Sequence, residues 1–232
     1  MKQAPGDARR DVRATVIEVA LKLLRDGGQD AVTTRAVTDA AGIQAPTLYR
    51  LFGDKRGLLD AVVEHGYELA YNEKLKRSHH PDPVESMREG WAFLTRFGLE
   101  NSMLFSLTYS SLRPGFVSPV IQKTYHLLEK ISHQLAVAGR LKVTEKQATD
   151  LVYATSCGVV LALISMPEEQ RDLRLSKDAC EAVINAITTD AAPERNTTAA
   201  ITLHASLSDV KCLTSGERLL LSELLQRIAL DE

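Results

Sequence analysis

The amino-acid sequence predicts an all-α protein, in which a head of three to four short N-terminal helices precedes a C-terminal bundle of longer ones. Aromatic residues make up only 5% of the 232 residues, fewer than a β-sandwich or barrel needs. Apolar residues recur at helical spacing, and capping residues, glycines and prolines divide the chain into about ten helical segments. The hydrophobic fraction of 44% and the charged fraction of 25% are typical of a protein with a well-packed core.

The first three helices are predicted by one apolar face and by the residues that start and stop them. Gly27-Gly28 ends the first helix, and Thr33-Thr34 precedes a second helix that ends at Gly42. Pro46 opens a third helix, which Gly53 closes. The first helix carries apolar residues at i, i+1, i+4, i+5 and i+8, namely Val16, Ile17, Ala20, Leu21 and Leu24.

Capping patterns predict the remaining helices. Asp82-Pro83-Val84-Glu85 combines an N-cap, a first-turn proline and a first-turn acid, and Thr144 and Thr214 each begin a capping-box pattern. Residues 191–198 are expected to be a linker, and 199–213 is ambiguous between a short helix and coil. Predicted helix starts lie at or beside Asp54, Asp82, Asn101 or Ser102, Ser118, Thr144, Ser176 and Thr214.

The same pattern predicts the domain organisation. We expect a head over residues 9–69 and a larger helical domain over 80–192. Residues 193–232 are then a linker and a C-terminal amphipathic helix. The head is mildly basic, because residues 1–60 hold ten Lys and Arg against eight Asp and Glu, whereas the rest of the chain holds 18 against 22. This asymmetry permits local contact with a polyanion and excludes a strongly basic, general nucleic-acid binder.

Cysteine usage and hydropathy predict a cytoplasmic protein. Cys157, Cys180 and Cys212 form no C-x-x-C pattern, which favours a reducing compartment. Residues 1–13 are polar and contain no apolar signal region. The longest apolar run, residues 154–166, is shorter than a membrane span and is expected to be a buried helix.

Residues 33–52 have the pattern of a helix-turn-helix motif. Gly42 can supply the left-handed backbone of the turn, and small or apolar residues lie where the two helices must pack together. Thr38 occupies a position that usually holds alanine in such motifs. The packing residues are Val37, Ala41, Ile43 and Leu48.

The amino-acid sequence of residues 9–69 resembles that of the TetR family of transcriptional regulators. Beyond about residue 75 the resemblance is confined to residues 91–109, which are similar to a sensor-domain pattern. The matching residues are Thr33-Thr34-Arg35, Ala41-Gly42-Ile43, Thr47-Leu48-Tyr49, Phe52, Lys55 and Leu58-Leu59. The resemblance implies a DNA-binding head, a sensing and dimerisation domain over residues 80–192, and binding of double-stranded operator DNA as a homodimer.

The resemblance and the chemistry of the side chains together predict the DNA contacts. The third helix would enter the major groove, where Gln44, Ala45, Pro46 and Arg50 face base edges. Arg35 corresponds to a base-reading position in some family members. The predicted phosphate contacts are Thr34, Thr47, Tyr49 and Lys55.

Three of these assignments have a purely structural alternative. Tyr49 would equally fit a core aromatic with a hydroxyl at the surface, and Lys55 with Arg56 would fit a solvated charge pair. Arg35 would equally form an i, i+4 ion pair with Asp39.

Family resemblance also predicts the dimer and the effector site. The family dimerises through its last two long helices, which correspond here to residues 144–166 and 176–190. The predicted ligand contacts are Trp91, Phe97, Met103, Phe105, Tyr109, Tyr125 and Cys157, although aromatic and methionine residues at this spacing are more often plain core. We expect no metal and no cofactor.

The sequence therefore predicts a ligand-responsive regulator, with repression as the family's usual mode and a small molecule as the releasing effector. An alternative is a thiol-sensing regulator of the same fold that uses Cys157, Cys180 or Cys212. A second alternative, a helical enzyme with a vestigial head, rests only on a pairing of Cys157 with His133, and we expect the protein not to be an enzyme.

Overall fold

The structure is a computed structural model that describes residues 5–75, 80–110, 115, 117–189 and 196–230, with side chains described from residue 11 to residue 70 in the first range. These ranges form eleven α-helices, two short 3-10 helices at Glu168–Gln170 and Leu207–Asp209, and an isolated antiparallel bridge between Leu141 and Thr188. The predicted all-α class is confirmed. The helices are α1 (Pro5–Ala31), α2 (Thr34–Ala41), α3 (Ala45–Phe52), α4 (Lys55–Leu75), α5 (Pro83–Glu100), α6 (Ser102–Ser110), α7 (Pro119–Val137), α8 (Glu145–Ser165), α9 (Arg174–Ile187), α10 (Asn196–Ser206) and α11 (Ser215–Leu230).

The helices divide into two compact units. The first unit, called the head here, contains α1 to α4 and α6, and the second contains α5 and α7 to α11. The sequence placed residues 102–110 in the larger domain, whereas in the structure α6 packs against α1 and α4. The head is therefore discontinuous in sequence, because α5 lies between α4 and α6 but belongs to the other unit.

The core of the head is built from the apolar faces that the sequence predicted. All five predicted core residues of α1 are at most 4% exposed. The same holds for α4, in which Leu58, Leu59, Val62 and Val63 are each at most 7% exposed. At Gly28 the backbone of α1 leaves helical geometry with a φ of 71°, which confirms the break predicted there.

Helix α6 packs against α4 at Gly66. A Cβ atom on Gly66 would lie 2.5 Å from Cδ2 of Leu104, so any side chain at position 66 would force that leucine to shift. Phe105 of α6 is fully buried, and its ring lies 4.9 Å from the ring of Tyr109. Helices α4 and α6 therefore approach closely at Gly66.

The second unit is organised around one large hydrophobic cluster. Leu141 and Thr188 join the segment after α7 to the end of α9, with the Lys142 amide donating to the Ile187 carbonyl at 2.9 Å. Arg88 of α5 holds Glu181 of α9 through two hydrogen bonds of 2.7 and 2.8 Å. The cluster draws residues from five helices and the loop after α7, among them Val84, Met87, Trp91, Leu135, Ala136, Leu141, Val152, Ile184, Ile201 and Ala205.

Two sequence predictions in this unit require correction. Ser176 was expected to start a helix, but α9 begins at Arg174, and Ser176 is buried inside it because its hydroxyl accepts a hydrogen bond from the indole of Trp91. The ambiguous segment 199–213 is resolved for the most part as helix, since α10 spans Asn196–Ser206. Of the predicted linker 191–198, residues 191–195 lie outside the described residues. Residues 196–198 form the first turn of α10, so the linker prediction is wrong there.

Helix α8 also revises the expectation about membrane spans. The apolar run 154–166 belongs to a longer helix, which is the one helix among the described ranges with a length and composition sufficient to cross a membrane, at a mean hydropathy of 1.6. Val152, Val160 and Leu163 on this helix are at most 2% exposed within the second unit. Core helices of globular proteins share this composition, and the buried side chains of α8 belong to the core of the second unit.

Candidate nucleic-acid interface

The turn between α2 and α3 has the geometry that the sequence predicted. Gly42 adopts a φ of 65°, and the amide of Ile43 donates to the carbonyl of Thr38 at 3.0 Å. At the start of α2, the Thr33 hydroxyl accepts a hydrogen bond of 3.1 Å from the amide of Ala36. Both ends of α2 are therefore closed by local contacts, which fixes where α3 begins.

Buried side chains hold α3 against the head. Leu48 is only 1% exposed and Val37 of α2 is fully buried. Thr38 is buried as well, and its hydroxyl donates to the carbonyl of Arg35 at 3.0 Å. That hydrogen bond explains how threonine is accommodated where alanine is usual, because the hydroxyl is satisfied within its own helix.

The remaining face of α3 is open to solvent. Gln44 precedes the first turn, and its side chain forms no capping hydrogen bond. Gln44, Pro46 and Arg50 are exposed, while Ala45 and Thr47 are partly buried. Tyr49 is 48% exposed, which argues against the alternative that it is a core aromatic. A short helix held by one leucine thus presents amide, guanidinium and phenol groups outward.

The other predicted contacts lie at the edges of this face. Thr34 is partly buried at the start of α2. Arg35 lies 3.7 Å from Asp39, but their side chains are 92% and 72% exposed, so this ion pair restrains Arg35 only weakly. Lys55 is exposed at the start of α4, where the Asp54 carboxylate already accepts a hydrogen bond of 2.7 Å from the Gly57 amide. The first turn of α4 is therefore capped by the protein itself.

One residue of this region was not singled out by the sequence. The guanidinium of Arg13 in α1 lies 5.3 Å from the ring centroid of Phe52, the last residue of α3. Arg13 therefore contacts the C-terminal end of α3. No local pattern predicts this contact, because the two residues are 39 positions apart.

The predicted ligand contacts are distributed over both units. Met103, Phe105 and Tyr109 belong to α6 in the head, whereas Trp91, Phe97, Tyr125 and Cys157 belong to the second unit. Met103 is 41% exposed, and its Cε would lie 3.0 Å from a Cβ on Gly28. The predicted contacts therefore do not all belong to one unit.

In the second unit, Trp91 is part of the core. It is 5% exposed, and its indole N–H donates to the Ser176 hydroxyl at 3.0 Å. The hydroxyls of Thr95 and Ser176 lie 2.8 Å apart, and Thr95 also donates to the Trp91 carbonyl at 3.1 Å. This buried polar group is satisfied by its own members, as interior polar side chains usually are.

Tyr125 lies in a partly buried polar cluster between α7 and α8. Its hydroxyl donates to the carboxylate of Asp150, which also receives the Lys146 ammonium at 2.5 Å. The hydrogen bond to Asp150 raises the pKa of Tyr125 to about 12, and the pKa of Asp150 is lowered chiefly by Lys146. The ring of Tyr153 meets the Tyr125 ring edge-on at 5.8 Å between centroids.

The positions of the cysteines and of His133 bear on two alternatives from the sequence analysis, a thiol-sensing regulator and an enzyme that pairs Cys157 with His133. His133 lies 3.3 Å from Glu145, at the start of α8, whereas Cys157 is buried twelve residues further along that helix, about 18 Å away. The structure therefore contradicts a catalytic pairing of Cys157 with His133. Burial raises the pKa of Cys180 to about 11, which keeps it a protonated thiol at neutral pH, and Cys212 is exposed.

This geometry defines a two-unit helical protein with a helix-turn-helix whose second helix is exposed. Residues 16–62 match the family model for bacterial regulatory proteins of the tetR family. The chain is 32% identical over 103 residues to the class G tetracycline repressor protein of Vibrio anguillarum, which covers 44% of this chain and 43% of the relative. Over 50 residues it is 50% identical to the class A tetracycline repressor protein from transposon 1721 of Escherichia coli, covering 22% and 23%.

Solved structures share the fold across more of the chain. RolR in complex with resorcinol superposes with a TM-score of 0.61 at 20% identity, covering 87% of this chain and 96% of that one. A TetR variant from Acinetobacter baumannii AYE in complex with minocycline gives a TM-score of 0.58 at 21% identity, covering 80% and 96%. The chain spans less than half the length of the curated relatives that it matches. The head of this chain is therefore similar to bacterial regulatory proteins of the tetR family, and the solved structures show that the fold is shared.

Proposed function

We propose that this protein is a cytoplasmic transcriptional repressor that binds operator DNA as a homodimer and is released by a small-molecule effector. The observation that carries the proposal is the exposed face of α3, where Gln44, Pro46 and Arg50 stand free of the core while Leu48 anchors the helix. The similar proteins that are named repressors support repression over activation.

The side chains of α3 divide into base-reading and phosphate-binding groups. Arg50 has the planar donor fork that binds guanine bidentately, and Gln44 can do the same for adenine. Ala45 and Pro46 offer apolar contact to a thymine methyl. Arg35 at the start of α2 adds a further donor beside this face. Thr34, Thr47, Tyr49 and Lys55 supply hydroxyls and a cation suited to phosphates, and such contacts fix register and carry no sequence information.

A homodimer supplies the second copy of α3 that specific binding needs. Half-sites on one face of the duplex are about 34–36 Å apart, so two heads read an inverted repeat. The surface of α8 offers an interface for this dimer, because Leu151 is 40% exposed and a Cβ on Gly158 would meet nothing within 4 Å. Leu175 of α9 is 41% exposed as well.

Helix α6 is the element through which an effector would reach the head. It packs with α1 and α4, and at its N-terminus the Phe105 amide donates to the Asn101 carbonyl at 2.9 Å. The residues proposed for the effector include Phe105 and Tyr109 of α6. An effector bound there would shift α6 within the head, where Leu104 lies against Gly66 of α4.

The DNA proposal is tested by selecting bound duplexes from a random library with the purified protein. The expected result is an inverted repeat with half-sites about one helical turn apart. In a mobility shift on that sequence, Tyr49→Ala and Arg50→Ala should weaken retardation. Absence of any retarded band at low salt would sink the proposal, as would identical binding by wild type and both variants.

The proposed transmission is tested with a glycine pair. Gly66→Ala places a methyl group 2.5 Å from Leu104 and should change the effector concentration needed for release, whereas Gly216→Ala at the start of α11 meets open space. Truncation of the clashing side chain in Gly66→Ala with Leu104→Ala should restore the wild-type response. An unchanged response in the single variant would count against α6 as the transmitting element.

A further inference from the structure

Helix α11 carries apolar residues on two different faces. Leu225 is 6% exposed, and Ala229 packs against the central cluster of the second unit, so one face holds the helix in place. A second stripe, at i, i+4 and i+8, points outward: Leu220 is 59% exposed, Leu224 42% and Ile228 47%. This outward stripe is the feature that needs a partner.

The orientation of α11 is fixed by contacts at its start and middle. The Arg218 guanidinium donates to the carbonyls of Ser208 and Val210, at 3.0 and 3.1 Å. His204 of α10 lies 2.9 Å from the Ser222 hydroxyl. Turning the stripe inward would break these contacts and expose Leu225, so the stripe is presented to solvent by the folded unit itself.

We propose that the outward stripe of α11 pairs antiparallel with the same stripe of a second copy, about a two-fold axis at Leu224. In this arrangement Leu224 meets Leu224 of the second copy, and Leu220 lies opposite Ile228 at each end, because residues four before and four after the axis face each other. A two-fold contact is self-complementary in this way. The inference rests on the homodimer proposed above and goes beyond it by assigning a contact outside α8 and α9.

The charges beside the stripe favour a second copy over other occupants. Glu223 and Arg227 are both exposed on one flank of the stripe. In an antiparallel pair the same flanks meet, so Glu223 of each copy approaches Arg227 of the other. A membrane surface would instead favour a basic polar face, which this mixed flank does not provide.

The size of the stripe determines what it contributes. Three side chains fall short of the roughly 800 Å² per partner that a standard interface buries. The pairing of α11 therefore adds to a larger interface and does not form the dimer alone. The remaining area would have to come from other surfaces of the second unit that share the same two-fold axis.

The test is disulfide cross-linking in a Cys212→Ser background, because Cys212 is the exposed native cysteine. Leu224→Cys should form a disulfide-linked dimer rapidly under mild oxidation, since both thiols lie at the axis. Leu219→Cys is the matched control: position 219 is 74% exposed but lies about 140° around the helix from position 224.

A mixture of two variants fixes the direction of the pair. Leu220→Cys and Ile228→Cys chains should cross-link to each other when mixed, and each alone should cross-link at least tenfold more slowly. Self-cross-linking of Leu220→Cys as fast as that of Leu224→Cys would indicate a parallel pair and overturn the proposal. Equal rates for Leu219→Cys and Leu224→Cys would overturn it too.

Sedimentation separates this inference from the proposed function. Leu224→Glu should raise the dimer dissociation constant at least tenfold, whereas Leu219→Glu should leave it within about twofold. A dimeric wild type without Leu224 cross-links overturns the α11 pairing alone. A cross-linked dimer that binds no DNA overturns the proposed function alone, and a monomeric wild type overturns both.

Discussion

Helices α3 and α11 are built alike and differ in what they show to solvent. Each is held by one deeply buried leucine, Leu48 at 1% and Leu225 at 6% exposure. On α3 the outward positions hold Gln44 and Arg50, whereas on α11 they hold leucine and isoleucine. The comparison shows that one buried side chain is enough to anchor a helix. The outward residues can then match the partner, with hydrogen-bonding groups for a DNA duplex and apolar groups for a protein.

The largest expected effect comes from removing the two anchors. Leu48→Ala should destabilise the head by about 2–5 kcal/mol, because a fully buried leucine leaves a cavity. Leu225→Ala should fall near the lower end of that range, since α11 packs on one side only. Amide hydrogen exchange of each helix measures both values, and Tyr49→Ala is the exposed control on α3. Equal protection in Leu48→Ala and wild type would contradict this view of α3.

The next effect tests the chemistry of the α3 face. Arg50→Ala should weaken binding to the selected operator by about 1–3 kcal/mol, because two hydrogen bonds to one base are lost. Binding to unrelated DNA should change much less. A fluorescence-anisotropy titration measures both, with Lys211→Ala, a distant exposed cation, as the control. Equal losses on both DNAs would reassign Arg50 to the phosphates.

A smaller effect compares the caps of the two regions. Thr33→Ala removes the acceptor for the Ala36 amide, and Thr214→Ala removes the acceptor for the Glu217 amide. Each should reduce stability by about 1 kcal/mol. Urea unfolding monitored by circular dichroism measures the loss, and serine at either position should restore most of it. Alanine variants as stable as wild type would show that these hydrogen bonds contribute nothing.

The smallest effect is the pH dependence of the α11 cap. The Thr214 amide and hydroxyl both donate to Glu217 and lower the pKa of its carboxyl. A lowered pKa stabilises the fold above the ordinary value near 4.5, and this contribution disappears as the pH falls through the lowered value. Glu217→Gln should abolish that part of the acid dependence in unfolding measured from pH 7 to pH 3. An unchanged acid profile would contradict it.

Local signals predicted most of the head. A helix begins or ends at or beside Gly42, Pro46 and Gly53, as predicted. Such boundaries can be predicted because capping and left-handed backbone depend on neighbours in sequence. The capping box at Thr214 was predicted for the same reason, with both reciprocal hydrogen bonds present. The exposed and buried sides of α3 also follow from spacing alone.

Long-range packing could not be predicted in this way. Ser176 looked like a helix start, yet its hydroxyl serves Trp91, 85 positions away. The contact of Arg13 with Phe52 and the seating of α6 beside Gly66 depend on tertiary geometry that no local pattern encodes. For the effector site, aromatic spacing could not separate residues of α6 from those of the second unit.

The α10–α11 hairpin has a consequence for any attempt to trim the chain. Ile201 and Ala205 of α10 belong to the same cluster as Leu135 and Ile184, so the hairpin closes the interior of the second unit. Cutting the protein after residue 189, where the bridge from Leu141 to Thr188 suggests a natural end, would uncover apolar surface that water now never reaches. Such a shortened protein is expected to aggregate, and tags or fusions are better attached beyond residue 230.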